Sequence, residues 1–278
     1  MKHPILRRFP GARQWIRKME RLEGERDQAR RELQELQEAQ RAAATEIAAA
    51  APSEAAPASP RREHYKQVWT GLSAEERSAK LHVGGFEDEP TFEATGIETR
   101  DALISSVGIH RTDVVVEIGC GVGRVGKQLA PICRRWIGCD VSPHMVALAA
   151  RRVAEFSNVE THEITGYDLK PLADESADVV YCTVVFMHLE EWDRFNYVLE
   201  AHRVLRPGGR VFIDNVNLCS DAGWHVFEVH RQIPAPVRPP HITKHSTPQE
   251  LTTYLERAGF RDIRSRELRE FVQVWGTK

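Results

Sequence analysis

The stretch Val114-Val-Val-Glu-Ile-Gly-Cys-Gly-Val-Gly-Arg-Val-Gly126, VVVEIGCGVGRVG, decides the fold. An apolar β-branched run ends in an acid and opens onto glycines. That order predicts a buried strand, a tight turn and a helix. Two glycine rhythms overlap in it. Gly121-x-Gly123-x-x-Gly126 has the spacing of a dinucleotide-binding turn, and Asp140 follows at the distance of a ribose-binding acid. Glu117-x-Gly119-x-Gly121-x-Gly123 is a different pattern, and Glu117 discriminates between them. A dinucleotide sets its pyrophosphate on such a turn and the helix N-terminus behind it. A carboxylate at the strand tip repels that group and suits a ligand with a cationic amino-acid tail.

Working outward, apolar strand candidates recur at Val114–Ile118, Trp136–Cys139, Val159–Ile164, Asp178–Val184 and Arg210–Asp214. Helical stretches alternate with them at Val125–Ile132, Pro143–Phe156 and Glu190–Leu205. The alternation predicts an α/β fold with a mostly parallel, doubly wound sheet covered on both faces. Ser142-Pro143 is a helix start, with a capping hydroxyl and a proline at the first helical position. Leu205-Arg-Pro-Gly-Gly209 stops one helix and reverses the chain into the fifth strand. A last helix from Thr247 or Pro248 to Ala258 stops at Gly259. Phe260–Leu268 and Phe271–Trp275 complete seven strands. The turn between them is too short for a crossover, so the last strand runs antiparallel.

The chain is 278 residues long with a formal net charge of −2. Composition therefore gives no pull toward nucleic acid or a membrane surface. Nothing near the N-terminus is apolar enough for a signal peptide or a span, which predicts a cytoplasmic protein. The cysteines, Cys120, Cys133, Cys139, Cys182 and Cys219, form no CxxC pair and are read as buried thiols. Residues 1–50 form a basic start followed by a long helix with an imperfect heptad pattern from residue 14, either a lone helix or a homodimer or partner contact. Residues 51–61 are a Pro/Ala linker, 62–111 a helical segment, and 112–278 the core.

Four stretches, VVVEIGCGVGR, IGCDVSPHMVALAARR, GYDLKPLADESADVVYCTVVFMHL and RVLRPGGRVFI, stand in the order and spacing of one family. In them the sequence resembles the class I, Rossmann-like, S-adenosyl-methionine-dependent methyltransferases, over about Thr95 to Phe260. The resemblance implies S-adenosyl-methionine as cofactor. The turn of Glu117, Gly119, Cys120, Gly121, Gly123 and Arg124 would wrap its methionine part. Asp140 would accept from the ribose hydroxyls. Val141 would line the adenine, and Met145 would either line it or be core. Asp168 and Leu169 occupy the place where the family reads the adenine amino group, and Val184 follows the fourth strand at the ligand-binding edge. His188 is a candidate general base or a residue shaping the cleft. Residues 62–111 would fold over the cofactor as a lid, with Tyr65, Trp69 and Phe92 either contacting ligand or packing on the core.

Acceptor-site candidates follow the fifth strand: Asp214, Asn215, Asn217, Trp224, His225, His230, His241 and His245. Asp214, His225 and His241 join His188 as candidate catalytic groups. The histidines lack metal-ligand spacing, so no metal is expected. The resulting expectation is methyl transfer to a small-molecule or sugar hydroxyl. A base-modifying (N/D)PP(Y/F) motif is absent after the fourth strand, which disfavours nucleic acid. The competing readings are an inactive cofactor-binding scaffold and a nicotinamide-dependent oxidoreductase.

Overall fold

The chain divides into two units, Met1–Ala58 and Ser59–Lys278. The computed structural model describes residues 60–278, with side chains from Lys66 onward, and Gln28. The basic start, the heptad segment apart from Gln28 and the linker up to residue 59 lie outside the described residues, as does the side chain of Tyr65. Pro60 and Arg61, read as linker, begin a helix, because proline is compatible with a first helical turn.

Three helices come first: α1 (Pro60–Leu72), α2 (Glu76–Gly84) and α3 (Glu89–Ser106). The core then alternates β1 (Val114–Ile118), α4 (Gly126–Leu129), β2 (Arg135–Asp140), α5 (Pro143–Arg152), β3 (Val159–Glu163) and β4 (Ala177–Cys182). It continues with α6 (Glu191–Val204), β5 (Leu205–Val216), α7 (Asp221–Arg231), α8 (Pro248–Ala258), β6 (Arg261–Leu268) and β7 (Phe271–Thr277). The strands form one seven-stranded sheet in the order β3-β2-β1-β4-β5-β7-β6. β1 to β5 are parallel, and β7 inserts antiparallel between β5 and β6. This is the expected doubly wound sheet with its antiparallel last strand.

The strand positions follow from burial. All five residues of β1 are buried, because helices cover both faces of a parallel sheet. Val114, Val116 and Ile118 pack on one side with α6 and α8, whereas Val115 joins Leu129, Trp136 and Tyr181 on the other. Period-two alternation puts Glu117 on that second face, against Trp136 and Tyr181. The sheet's edges are polar: β3 is half-buried, and β6 carries charged side chains at Arg261, Asp262, Arg264, Arg266 and Glu267. Charge on an edge strand discourages pairing with another chain.

The chain leaves β1 toward β2 on one side and returns through β4 on the other. Between the carboxyl ends of β1 and β4, the topology opens the crevice in which ligands bind. Ser142 caps α5 by accepting from Met145 N–H (3.4 Å). Its hydroxyl also meets that of Ser73 (2.8 Å), and His144 Nδ1 meets Thr70 O (3.2 Å). These contacts pin the α1–α2 corner over the carboxyl edge of the sheet.

One helix departs from expectation. No helix is among the sequence-read elements between the fifth strand and Thr247, yet Ser220 accepts from Gly223 N–H (3.1 Å) and starts α7. A Cβ on Gly223 would lie 1.9 Å from Asn217 O, so the glycine that obscured the helical pattern is required by packing.

Candidate functional site

The carboxyl ends of β1, β2 and β4, with α2 as a roof, line a cleft that opens to solvent. Glu117, Gly119, Cys120, Gly121, Arg124, Asp140, Val141, Met145, Val184 and His188 all line it, as does Trp69.

The turn after β1 is shaped by two glycines with left-handed backbone. Gly119 (φ 73°) lies so close to the β4 side that an added Cβ would meet Val185 Cγ2 at 2.2 Å. Gly121 (φ 51°) similarly faces Val83 of α2, 2.6 Å from an added Cβ. A side chain at either position would both strain the backbone and collide with a neighbour. Gly126 has another function. Its added Cβ would fall 2.3 Å from the Trp136 ring, and it does not line the cleft. The third glycine of the dinucleotide spacing therefore packs α4 on β2. Gly123 packs on Ala149 behind the turn, also outside the cleft lining.

Asp140 is buried and organises both flanks of the turn. Its Oδ2 accepts from Gly121 N–H and its Oδ1 from Ser142 N–H, each at 2.9 Å. A carboxylate has about four acceptor sites, so it keeps capacity toward the cleft. Burial pushes its pKa up to about 6 against these two N–H donors. Glu117 Oε2 accepts from Tyr181 OH (2.5 Å) and Trp136 Nε1 (3.2 Å). Burial lifts its pKa to about 8, opposed by the Tyr181 hydrogen bond and the Arg124 charge. Arg124 is buried beside it, donates from Nη1 to Thr95 and Thr99 hydroxyls (3.2 Å each), and has no partner for Nε. The Cys120 thiol is pushed well up by burial, which keeps it un-ionised and inert. Met145 satisfies both its readings, lining the cleft while packing with Ala79, Phe92, Val122 and Leu148. Phe92 is fully buried in that cluster and is a packing residue.

Besides Gly123 and His241, four expected site residues stay outside the cleft lining. Leu169 is core, and its N–H donates to Glu200 Oε2 (2.8 Å). Asp168 accepts from Lys170 N–H and stays outside the cleft lining; Ile164 and Gly166, just after β3, take that place. His225 is exposed on α7. Asp214 is buried beneath the cleft, where its Oδ1 accepts from Val184 N–H (2.8 Å). Val184 has φ 61°, a strained backbone for a β-branched residue, and the Asp214 bond helps hold it there. Burial raises the Asp214 pKa to about 7.

The far end of the cleft is formed by Trp69, His82, Val83, His188 and Leu189. The His188 ring packs edge-on against Trp69, 4.7 Å between centroids. Its Nδ1 donates to His241 O (2.8 Å), because a carbonyl only accepts. Burial lowers its pKa to about 4, so the ring is neutral with Nε2 as its acceptor. His241 serves through that carbonyl and through ring contacts with Trp69 and His82, not as a cleft-lining side chain.

The remaining candidates after β5 are structural. Asn215 donates to Ser246 Oγ and Lys244 O, Asn217 Oδ1 accepts from Cys219 N–H, and Trp224 stacks on Phe227. His245 meets the Phe227 ring, and His230 lies half-buried on α7. Among the described residues no group of three His, Cys, Asp or Glu is placed to hold a metal. No helix among them is long and apolar enough to cross a membrane.

Sequence reasoning missed Arg194. This fully buried arginine donates to Phe186 O (2.9 Å), Ser246 Oγ (3.1 Å), Glu250 Oε1 (3.0 Å), Lys244 O (3.1 Å) and His245 O (3.4 Å). It ties the Phe186–His188 turn to the 244–250 segment that supports His188. Arg194→Leu removes the buried cation that faces Glu250 and the donor to His245 O, while Phe186 O keeps Leu189 N–H and Lys244 O keeps Asn215 Nδ2. The substitution is expected to cost about 3 kcal/mol of stability. Chemical denaturation of the full chain measures it.

The donor set identifies the kind of ligand. An acid and a guanidinium stand side by side at the turn, an acid caps β2, and the third dinucleotide glycine is used in packing. That arrangement suits a zwitterionic amino-acid tail on a ribose and offers no cradle for a pyrophosphate. Sheet order and the crevice between β1 and β4 define a Rossmann-like α/β fold. Residues 116–213 match the family described as "Methyltransferase domain". A probable S-adenosylmethionine-dependent methyltransferase of Mycolicibacterium smegmatis is 36% identical over 146 residues, covering 52% of this chain and 51% of that protein. A demethylmenaquinone methyltransferase of Tropheryma whipplei is 30% identical over 41% of this chain and 46% of its own length. The chain thus spans about half the length of these curated relatives. The N-methyltransferase NodS of Bradyrhizobium japonicum, solved with S-adenosyl-L-homocysteine, shares the fold at TM-score 0.55 and 18% identity, over 77% of this chain and 98% of that one. Residues 116–213 thus match a methyltransferase domain, the curated relatives are similar over about half their length, and the fold is shared with a methyltransferase solved with S-adenosyl-L-homocysteine.

Proposed function

We propose that this protein transfers a methyl group from S-adenosylmethionine to the hydroxyl of a small molecule. The observation that carries the reading is the continuity of one cleft. Glu117, Arg124 and Asp140 line it near the glycine turn, and His188, neutral with Nε2 as acceptor, lines its far end. When bound, the cofactor supplies an electrophilic methyl group on a sulfonium.

The chain's residues bind, orient and exclude water. Glu117 meets the ammonium of the amino-acid tail and Arg124 its carboxylate, both charge-assisted contacts. Asp140 accepts from the ribose hydroxyls. Val141, Met145, Ile164 and Gly166 flank the base. Val184, held by Asp214, shapes the wall between cofactor and acceptor. Helices α1 and α2 act as the lid, through Trp69, His82 and Val83. His188 Nε2 accepts from the acceptor hydroxyl, aligns its oxygen with the methyl group and receives its proton. Alignment of donor and acceptor supplies much of the rate.

His188→Phe keeps the ring volume and removes the acceptor nitrogen. Methyl transfer is expected to fall about 100-fold or more in kcat, as for a lost proton acceptor, with cofactor affinity changed less than about threefold. Labelled-methyl transfer and calorimetry on the same samples check both. Unchanged kcat would remove His188 from the reaction.

A further inference from the structure

Building on the methyl-transfer reading, we infer that the acceptor is a phenol, best a catechol, held by the Nε2 atoms of His82 and His188 against Trp69. His82, on α2, lines the cleft beside Trp69 and His188. Its Nδ1 lies 2.8 Å from Ser78 O, one turn earlier on α2. A carbonyl only accepts, so Nδ1 is the donor, and in that imidazole tautomer Nε2 is the acceptor. His188 is fixed in the same tautomer by His241 O. The His241 ring, 5.9 Å from that of His82, links the two supports.

Two imidazole Nε2 acceptors in one wall select a molecule with two donors. The wall's other side chains, Trp69 and Leu189, suit a flat apolar body. The nearby cation, Lys244, is committed to Glu190 (2.9 Å), so this end holds no charge to pair with a carboxylate or phosphate acceptor. A sugar needs more polar partners than two imidazoles supply. The low basicity of His188 points the same way, because a weak base serves an acidic hydroxyl. A phenol, with a pKa near that of tyrosine, about 10, meets that need far better than an alcohol. A thiol is a weak donor and gains little from two nitrogen acceptors. In the step itself, the phenolic oxygen forms the new O–C bond as the C–S bond breaks. That bond's electron pair goes to sulfur, and the phenolic proton goes to His188 Nε2 and on to solvent.

The test uses the full chain, labelled S-adenosylmethionine and four probes: catechol, phenol, methyl α-glucoside and benzenethiol. Catechol is expected to exceed phenol by about tenfold in kcat/KM, one neutral hydrogen bond's worth, with no measurable transfer to the glucoside or the thiol. In His82→Phe the catechol-to-phenol ratio falls toward one through KM, while calorimetric cofactor affinity reports that the cleft is still formed. Preference for the glucoside or thiol, or no transfer to catechol by protein that binds the cofactor, overturns the inference. An unchanged ratio in His82→Phe overturns the part assigned to His82. Absence of cofactor binding in the unsubstituted chain would overturn the methyltransferase reading itself.

Discussion

Asp140→Ala is expected to weaken S-adenosylmethionine binding by 100-fold or more, the largest single loss at the site. Two separate losses combine in it. The ribose hydroxyls lose a charged acceptor, about 1.5–3 kcal/mol per hydrogen bond. The free N–H groups of Gly121 and Ser142 lose their common partner, which loosens the glycine turn and the start of α5 together. Asp140→Asn separates the two. One amide oxygen still accepts from one of the N–H groups, so part of the turn's order survives while the charge is lost. A loss intermediate between wild type and alanine, read by calorimetry, is the expected outcome. Equal affinity in wild type and Asp140→Ala would remove Asp140 from the cofactor site.

The second large effect is a pH dependence set by Glu117. Its pKa is about 8 in the folded protein, against an ordinary value of 4.5. Between these values the folded state holds a proton that the unfolded state has released. Stability of the free protein therefore falls as pH rises from about 5 to about 8. Asp140, raised to about 6, and Asp214, raised to about 7, act in the same direction within that window. A cationic tail beside Glu117 favours its carboxylate form. Cofactor binding at pH 7 is then expected to release protons, and affinity to rise between pH 6 and 8 by at most tenfold per unit for each group released. Calorimetry at pH 7 in buffers of unlike ionisation enthalpy counts the protons. In Glu117→Gln the release shrinks, the unfolding midpoint varies less with pH, and affinity at pH 8 falls at least tenfold. Proton uptake on binding would contradict the assignment of Glu117 to the ammonium.

The sheet was legible because its interior strands are buried on both faces and read as continuous apolar runs. Val114–Ile118 coincides with β1, and the short turn before Phe271 correctly placed an antiparallel pair at the end. The cleft lining was legible at the strand tips, where Glu117 and Asp140 both face it. It was illegible where a distant side chain decides. Leu169 N–H looked free for adenine, but Glu200 on α6 takes it. Asp214 looked like a group facing the acceptor, but its partner is the strained Val184 N–H. His82 and Arg194 carry no local signal, since each matters only through elements far away in sequence. The His82 ring meets that of His241, and Arg194 reaches the 244–250 segment. α7 was hidden by Gly223, whose need is set by contact with Asn217.

The central claim is that the VVVEIGCGVGRVG turn holds an amino-acid tail and not a pyrophosphate. Calorimetric titration of the full chain with S-adenosylmethionine and, separately, with NAD tests it directly. The account predicts saturable, stoichiometric binding of S-adenosylmethionine, abolished or weakened at least 100-fold in Asp140→Ala by loss of its charged hydrogen bonds, and no measurable binding of NAD. Tight binding of NAD with none of S-adenosylmethionine would contradict it.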